Sequence, residues 1–83
     1  MAPDSDKHPN LLALGRAVVL MREKRGMSAN ELAEASEVQL DRLDALETGQ
    51  LDPTYELLVN VTDGLGAQPS ALVILAERLD TSN

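Results

Sequence analysis

The side chains that could do chemistry are concentrated between residues 28 and 54, and their types favour recognition over catalysis. Up to residue 52 this stretch carries hydroxyl and amide groups, one arginine (Arg42) and seven carboxylates. Arginine can grip a planar anion with two parallel hydrogen bonds, whereas carboxylates accept hydrogen bonds and repel anions. The whole chain has no cysteine and one histidine, His8. We therefore expect a binding protein that is not an enzyme and holds no metal or cofactor.

Composition favours a single small helical domain. The 83 residues are 43% hydrophobic but only 1% aromatic, so the core must be built from aliphatic side chains, which suit packed helices. No apolar run approaches the ~20 residues of a membrane span. The lack of cysteine fits a reducing compartment, so we expect a cytoplasmic protein. The net charge of −7 argues against nonspecific binding to nucleic acid, which needs at least one basic face.

Start and stop signals predict three helices in the first half of the chain. Helix one begins after a cap at Asn10 and ends with a basic run before Gly26. Helix two opens with a capping box of Ser28 and Glu31 and runs to about residue 35. Helix three follows a short turn and stops at Gly49. Two short helices joined in this way indicate a helix-turn-helix.

Two more helices are predicted after residue 52. Thr54 caps helix four, and Pro69 lies in the first turn of helix five. Gly64 is expected to weaken helix four by up to about 1 kcal/mol relative to alanine. We interpret residues 10–80 as one domain, residues 1–9 as a disordered tail that includes His8, and residues 81–83 as a C-terminal tail. The predicted inner stripe of helix four is Tyr55, Leu58, Val61 and Leu65.

Landmarks spread over about three quarters of the chain, from Leu14 to Leu75, resemble the Cro/C1-type helix-turn-helix family, also called lambda-repressor-like or XRE. They are Leu14-Gly15, Arg22, Gly26 to Ser28, Glu31 to Ala33, Val38, Leu43, Leu46, Glu47, Gly49, Pro53 and Leu65-Gly66. The resemblance implies a compact five-helix, all-α DNA-binding domain with the helix-turn-helix at helices two and three. It also implies that helix three enters the major groove, commonly from a two-fold dimer, and that Arg22 forms a structural ion pair with Glu47.

The positions that would touch DNA depart from the family pattern. Ala29 stands where glutamine commonly meets a phosphate, Glu37 where the turn usually has glycine, and Gln39 where serine or threonine caps helix three. By the resemblance, the DNA-binding candidates are Ser28, Ala29, Gln39, Leu40, Asp41, Arg42, Asp44, Ala45, Gln50 and Thr54.

Charge leaves two hypotheses open. Residues 28–52 have a formal net charge of −6, although affinity for DNA comes largely from neutralising phosphates. The first hypothesis is a small transcriptional regulator that binds DNA as a homodimer through an unusually acidic recognition face. The second is a helix-turn-helix-derived protein-binding module, or anti-regulator, that has lost DNA binding and takes a basic protein partner.

Apolar residues left on the outside of two helices predict self-association. In helix five, Val73 and Ile74 remain once the leucines have turned inward; in helix one, Leu12 and Val19 lie away from the core stripe. A short helix that is apolar nearly all round needs a partner, so these four residues are the dimer-contact candidates.

Overall fold

A computed structural model of the protein describes residues 10–80, which form five helices and no strand. The predicted all-α fold is confirmed. The predictions for residues 1–9, His8 included, and for residues 81–83 lie outside the described residues. None of the described helices combines the length and apolar character needed to cross a bilayer. The helices are α1 (Leu11–Lys24), α2 (Ala29–Ser36), α3 (Leu40–Glu47), α4 (Tyr55–Leu65) and α5 (Pro69–Asp80).

The helices begin where capping side chains satisfy their first amides. The Asn10 side chain accepts from the Ala13 amide at 2.7 Å and opens α1. Ser28 and Glu31 exchange the two hydrogen bonds of a capping box at the start of α2. Thr54 accepts from the Leu57 amide at 3.1 Å and opens α4. The predicted caps are thus confirmed, because a cap depends only on residues three or four positions apart.

One aliphatic core joins all five helices. α1 packs against α5 and α3, while α2 packs against α4. Every helix contributes fully buried side chains, among them Val18, Leu32, Leu43, Leu46, Leu65 and Leu72.

The predicted inner stripe of α4 was partly wrong. Tyr55 is 73% exposed, and the buried residues of this helix are Leu57, Val61, Thr62 and Leu65. Leu58 packs against the core only partly buried. Tyr55 has the right spacing for the stripe, but it is the first residue of α4, where no neighbouring helix covers it.

Gly64 is a contact point between α2 and α4, which corrects the view of it as a weak spot. A Cβ built there would lie 3.0 Å from the Ser36 nitrogen, 3.2 Å from the Ala35 carbonyl carbon and closer still to the Ser36 hydroxyl. That hydroxyl is buried and has no hydrogen-bond partner. Alanine would stabilise the helix more than glycine does, but only glycine lets the backbones of α2 and α4 approach so closely.

The turn between α2 and α3 contains a strained residue. Glu37 has φ 59° and ψ 41°, the left-handed conformation that favours glycine. Its amide bonds to the Glu34 carbonyl, and the Val38 amide bonds to Ala33, so the α2 carbonyls are satisfied in the manner of a glycine-ended helix. The turn geometry is retained although a glutamate occupies the glycine position.

An ion pair fixes the end of α3 to the end of α1. Arg22 Nε donates to Glu47 Oε2 at 2.8 Å, and a second guanidinium nitrogen donates to Glu47 Oε1 at 3.2 Å. The third nitrogen donates to the Met27 carbonyl at 3.1 Å, within the connection to α2. The side chains are 15% and 8% exposed, so water screens the pair poorly. The hydrogen bond to Glu47 raises the pKa of Arg22 although burial acts to lower it, so the guanidinium stays charged.

Close contact between backbones supports this pair. A Cβ on Gly15 of α1 would lie 2.5 Å from the carbonyl oxygens of Leu46 and Glu47. Glycine therefore lets α1 touch the last turn of α3 where the ion pair forms.

Arg22→Ala should reduce the free energy of unfolding by about 3 kcal/mol or more, because it leaves the Glu47 carboxylate buried without a cation. Urea denaturation followed by circular dichroism measures the loss. Arg16→Ala is the matched control, since Arg16 is an exposed arginine on the same helix, and should change stability by less than about 0.5 kcal/mol. Equal small losses for the two variants would show that the pair contributes little.

Gly64→Ala should destabilise the protein by roughly 1–3 kcal/mol, the reverse of the usual effect in a helix, because the methyl group overpacks the contact with α2. Ser36→Ala alone should be neutral or slightly stabilising, since it removes a buried hydroxyl without a partner. The double variant should recover part of the loss. Thermal unfolding of all three variants tests the contact, and a more stable Gly64→Ala protein would contradict it.

Candidate nucleic-acid interface

The structure places four of the ten DNA-binding candidates on the exposed side of α3. Leu43 and Leu46 face the core, which turns Asp41, Arg42 and Asp44 to solvent. Leu40 is also 42% exposed, so it does not belong to the buried stripe. Ala45 is half-buried. The helix therefore presents one arginine, two aspartates and an apolar side chain to a partner.

Three helix starts supply hydrogen-bond donors around this surface. The first amides of an α-helix have no partner within the helix and can meet an anion. Ser28 and the half-buried Ala29 lie at the start of α2, Gln39 precedes α3, and Thr54 precedes α4. The Gln39 side chain makes no capping hydrogen bond, so its amide can reach a ligand. The Gln50 side chain is exposed in the loop after α3.

The exposed charges of α2 and α3 are mostly negative. Glu47 adds no unpaired charge to this surface because it is bound to Arg22. On α3, Asp41 and Asp44 are three residues apart and share one side of the helix. Around them, the exposed carboxylates on α2, in the turn and in the loop after α3 are Glu31, Glu34, Glu37 and Asp52. Within residues 10–80, no salt bridge or hydrogen bond occupies the Arg42 guanidinium.

A groove of about 440 Å³ lies between the turn before α3 and the start of α4. Val38 and Leu57 contribute apolar atoms to its lining. The six polar side chains that line it are Glu37, Gln39, Arg42, Thr54, Glu56 and Asn60. Three of these are predicted DNA-binding residues, so the structure brings Gln39, Arg42 and Thr54 together around one concave surface.

Sequence reasoning missed three residues of this groove, Glu56, Leu57 and Asn60. One signal pointed to Glu56: the cap at Thr54 places it in the exposed first turn of α4. Nothing local indicated that this turn would lie beside the start of α3. Among residues 10–80, no group of carboxylates is arranged to hold a metal ion.

The predicted dimer-contact residues lie on α1 and α5, which pack against each other. Ile74 is 53% exposed and Leu12 is 64% exposed. Val73 and Val19 are half-buried, and Leu20 of α1 is also exposed. These side chains lie on helices other than α2 and α3, and Leu12 lies against Gly49 in the loop after α3.

Comparison with known proteins yields two kinds of match. A family model described as a helix-turn-helix domain matches residues 13–73. A crystal structure of the clp gene regulator ClgR from Corynebacterium glutamicum is 36% identical with a TM-score of 0.80, over 87% of this chain and 94% of that one. A second ClgR structure is 39% identical with a TM-score of 0.76, over 81% and 71%.

A more distant structure agrees in fold. The restriction-modification controller protein C.AhdI from Aeromonas hydrophila is 22% identical with a TM-score of 0.73, over 75% of this chain and 94% of that one. No match was found among curated proteins. The family model, the ClgR likeness and the arrangement of α2 and α3 agree with one another. The chain belongs to the helix-turn-helix domain family and has the fold of the Cro/C1-type transcription regulators.

Proposed function

We propose that the protein is a small transcriptional regulator that binds operator DNA as a homodimer, through a recognition face weakened by its own carboxylates. The observation that carries this proposal is α3 itself. Its outer side is exposed, its start is free of side-chain capping, and the Arg22–Glu47 pair holds it in place. ClgR, which is similar over most of its length, is described as a gene regulator. A protein of this kind acts in the cytoplasm.

In this function the start of α3 enters the major groove. Arg42 donates to a guanine edge or a phosphate, and Gln39 contacts bases at the start of the helix. The helix starts at Ser28 and Thr54 meet phosphates through backbone amides and hydroxyls. Asp41 and Asp44 oppose this approach unless one of them accepts from a cytosine amino group. Affinity should therefore be low and depend weakly on salt.

The homodimer is proposed from the apolar surface on α1 and α5. Ile74 and Leu12 are exposed leucine-sized side chains that a monomer would leave in water. A dimer through this surface leaves α2 and α3 free, which two-fold binding to DNA requires.

The second candidate function is binding of a basic protein by the α2–α3 face. The observation that favours it is that Glu34, Glu37, Asp41 and Asp44 are exposed around a single unpaired arginine. Such a face attracts cations and repels phosphates. The protein would then act as an anti-regulator that has lost DNA binding.

Replacing both Asp41 and Asp44 with asparagine should strengthen nonspecific DNA binding by roughly three- to tenfold at low salt, because two repelling charges are removed. Fluorescence anisotropy with duplex DNA from upstream of the protein's own gene, across a salt series, measures it. For the unaltered chain, the logarithm of affinity should fall with the logarithm of salt at a slope of about one to two per subunit.

The control for this prediction is Glu23→Gln with Asp63→Asn, which removes the same charge from exposed positions on α1 and α4. It should change DNA affinity by less than about twofold. If the α3 variant instead loses tight operator binding, Asp41 or Asp44 contacts a base, and the two aspartates do not simply repel DNA.

Replacing Val73 and Ile74 with lysine should give a folded monomer, because two charges cannot be buried in the proposed dimer contact. Sedimentation equilibrium measures the mass, and circular dichroism checks the helices. Substituting lysine for the exposed residues Asn30 and Asn60, on α2 and α4, adds the same charge away from this contact and should leave the dimer intact. A wild-type protein that stays monomeric at about 100 µM would refute the homodimer.

A further inference from the structure

We propose that the groove between the turn before α3 and the start of α4 binds a basic peptide segment of a protein partner, seating an arginine or lysine side chain. This inference develops the second candidate function and does not depend on DNA binding. It rests on the shape of the groove, the charges that line it and the absence of partners for those charges.

The charged side chains of the groove are unpaired. Glu37, Arg42 and Glu56 all line it, and within residues 10–80 none of them forms a salt bridge or a side-chain hydrogen bond. Charges that face a concave surface without internal partners are available to an external ligand. Because two of the three are carboxylates and Asp41 is exposed on the neighbouring turn of α3, the groove attracts cations.

The rest of the lining suits a peptide. Val38 is half-buried and can contact the aliphatic stem of an arginine or lysine, whereas Leu57 is buried and exposes almost no surface. Gln39 and Asn60 carry amides, and Thr54 carries a hydroxyl, which can exchange hydrogen bonds with a peptide backbone. Arg42 can donate to the carbonyls of the same segment. The groove is open to solvent on one side, and its volume of about 440 Å³ is enough for a few residues lying along it.

The backbone conformation of Glu37 is a further feature of this groove. It holds a left-handed conformation that glycine would adopt without strain, and it is one of the residues that line the groove. Strain of this kind is retained where the side chain has a use. Because Gln39 and Arg42 are also the residues that would touch DNA, a bound peptide would exclude DNA from the same face.

The test is anisotropy titration with a short fluorescein-labelled peptide of alternating arginine and alanine. The double variant Glu37→Gln with Glu56→Gln should bind it at least about fivefold more weakly than the wild type, since both lining carboxylates are lost. The matched control, Glu23→Gln with Asp63→Asn, removes the same charge away from the groove and should stay within about twofold. Equal weakening by the two variants would mean attraction by net charge alone and would overturn the site.

Two further measurements keep the result interpretable. Glu37→Gly removes the carboxylate while relieving the left-handed strain, so it should fold and still weaken binding; unchanged binding would count against the site. Amide shifts in two-dimensional NMR on adding the peptide should concentrate at Glu37, Gln39, Thr54 and Asn60, and shifts centred elsewhere would overturn the proposal.

Other occupants give distinct outcomes. A peptide with the sequence of residues 20–27, which contains three basic residues, tests for self-association. If it binds while the arginine-alanine peptide does not, the result would point to a second copy of the chain and refute a partner segment. A wild-type protein that binds duplex DNA but neither peptide would leave the regulator function standing and remove this inference. Peptide binding without DNA binding would support it and exclude the regulator function.

Discussion

The bond between Arg22 and Glu47 is the interaction on which the placement of α3 against α1 depends. The three guanidinium nitrogens of Arg22 bind the end of α1 to the end of α3 and to the Met27 carbonyl before α2. The glycine contact at Gly15 brings the same two helices within touching distance. A partly buried carboxylate needs this cation, so the geometry and the charge balance stabilise each other. The result is that α3 is held in place whatever its outer residues are.

That independence explains how the scaffold can be complete while its outer face is acidic. The core side of α3 uses Leu43 and Leu46, and the outer side carries Asp41, Arg42 and Asp44, which contribute little to packing. Substitutions on the outer side can therefore change the partner without changing the fold. Pairing with Arg22 also removes Glu47 from the exposed charge, so the acidic character of the face comes from residues that the scaffold does not require.

Two positions show where the fold accepts a local cost. At Gly64, the intrinsic preference of a helix for alanine is outweighed by the close contact of α4 with Ser36. At Glu37, the preference of the left-handed turn for glycine is not met, and the glutamate that stands there lines the groove. The first cost has a packing reason. The second has none within the described residues, which is why the groove is the place to look for a ligand.

Local signals and a family resemblance were enough to predict the five helices, their caps and the side of α3 that faces outward. The caps at Asn10, Ser28 and Thr54 act over three or four residues, a range that the sequence determines by itself. The exposure of Tyr55, the burial of Leu57, the contact at Gly64 and the groove beside Glu56 were decided only by the tertiary structure. Each depends on which helix crosses which and how closely, because periodicity defines the faces of a helix but not what covers them.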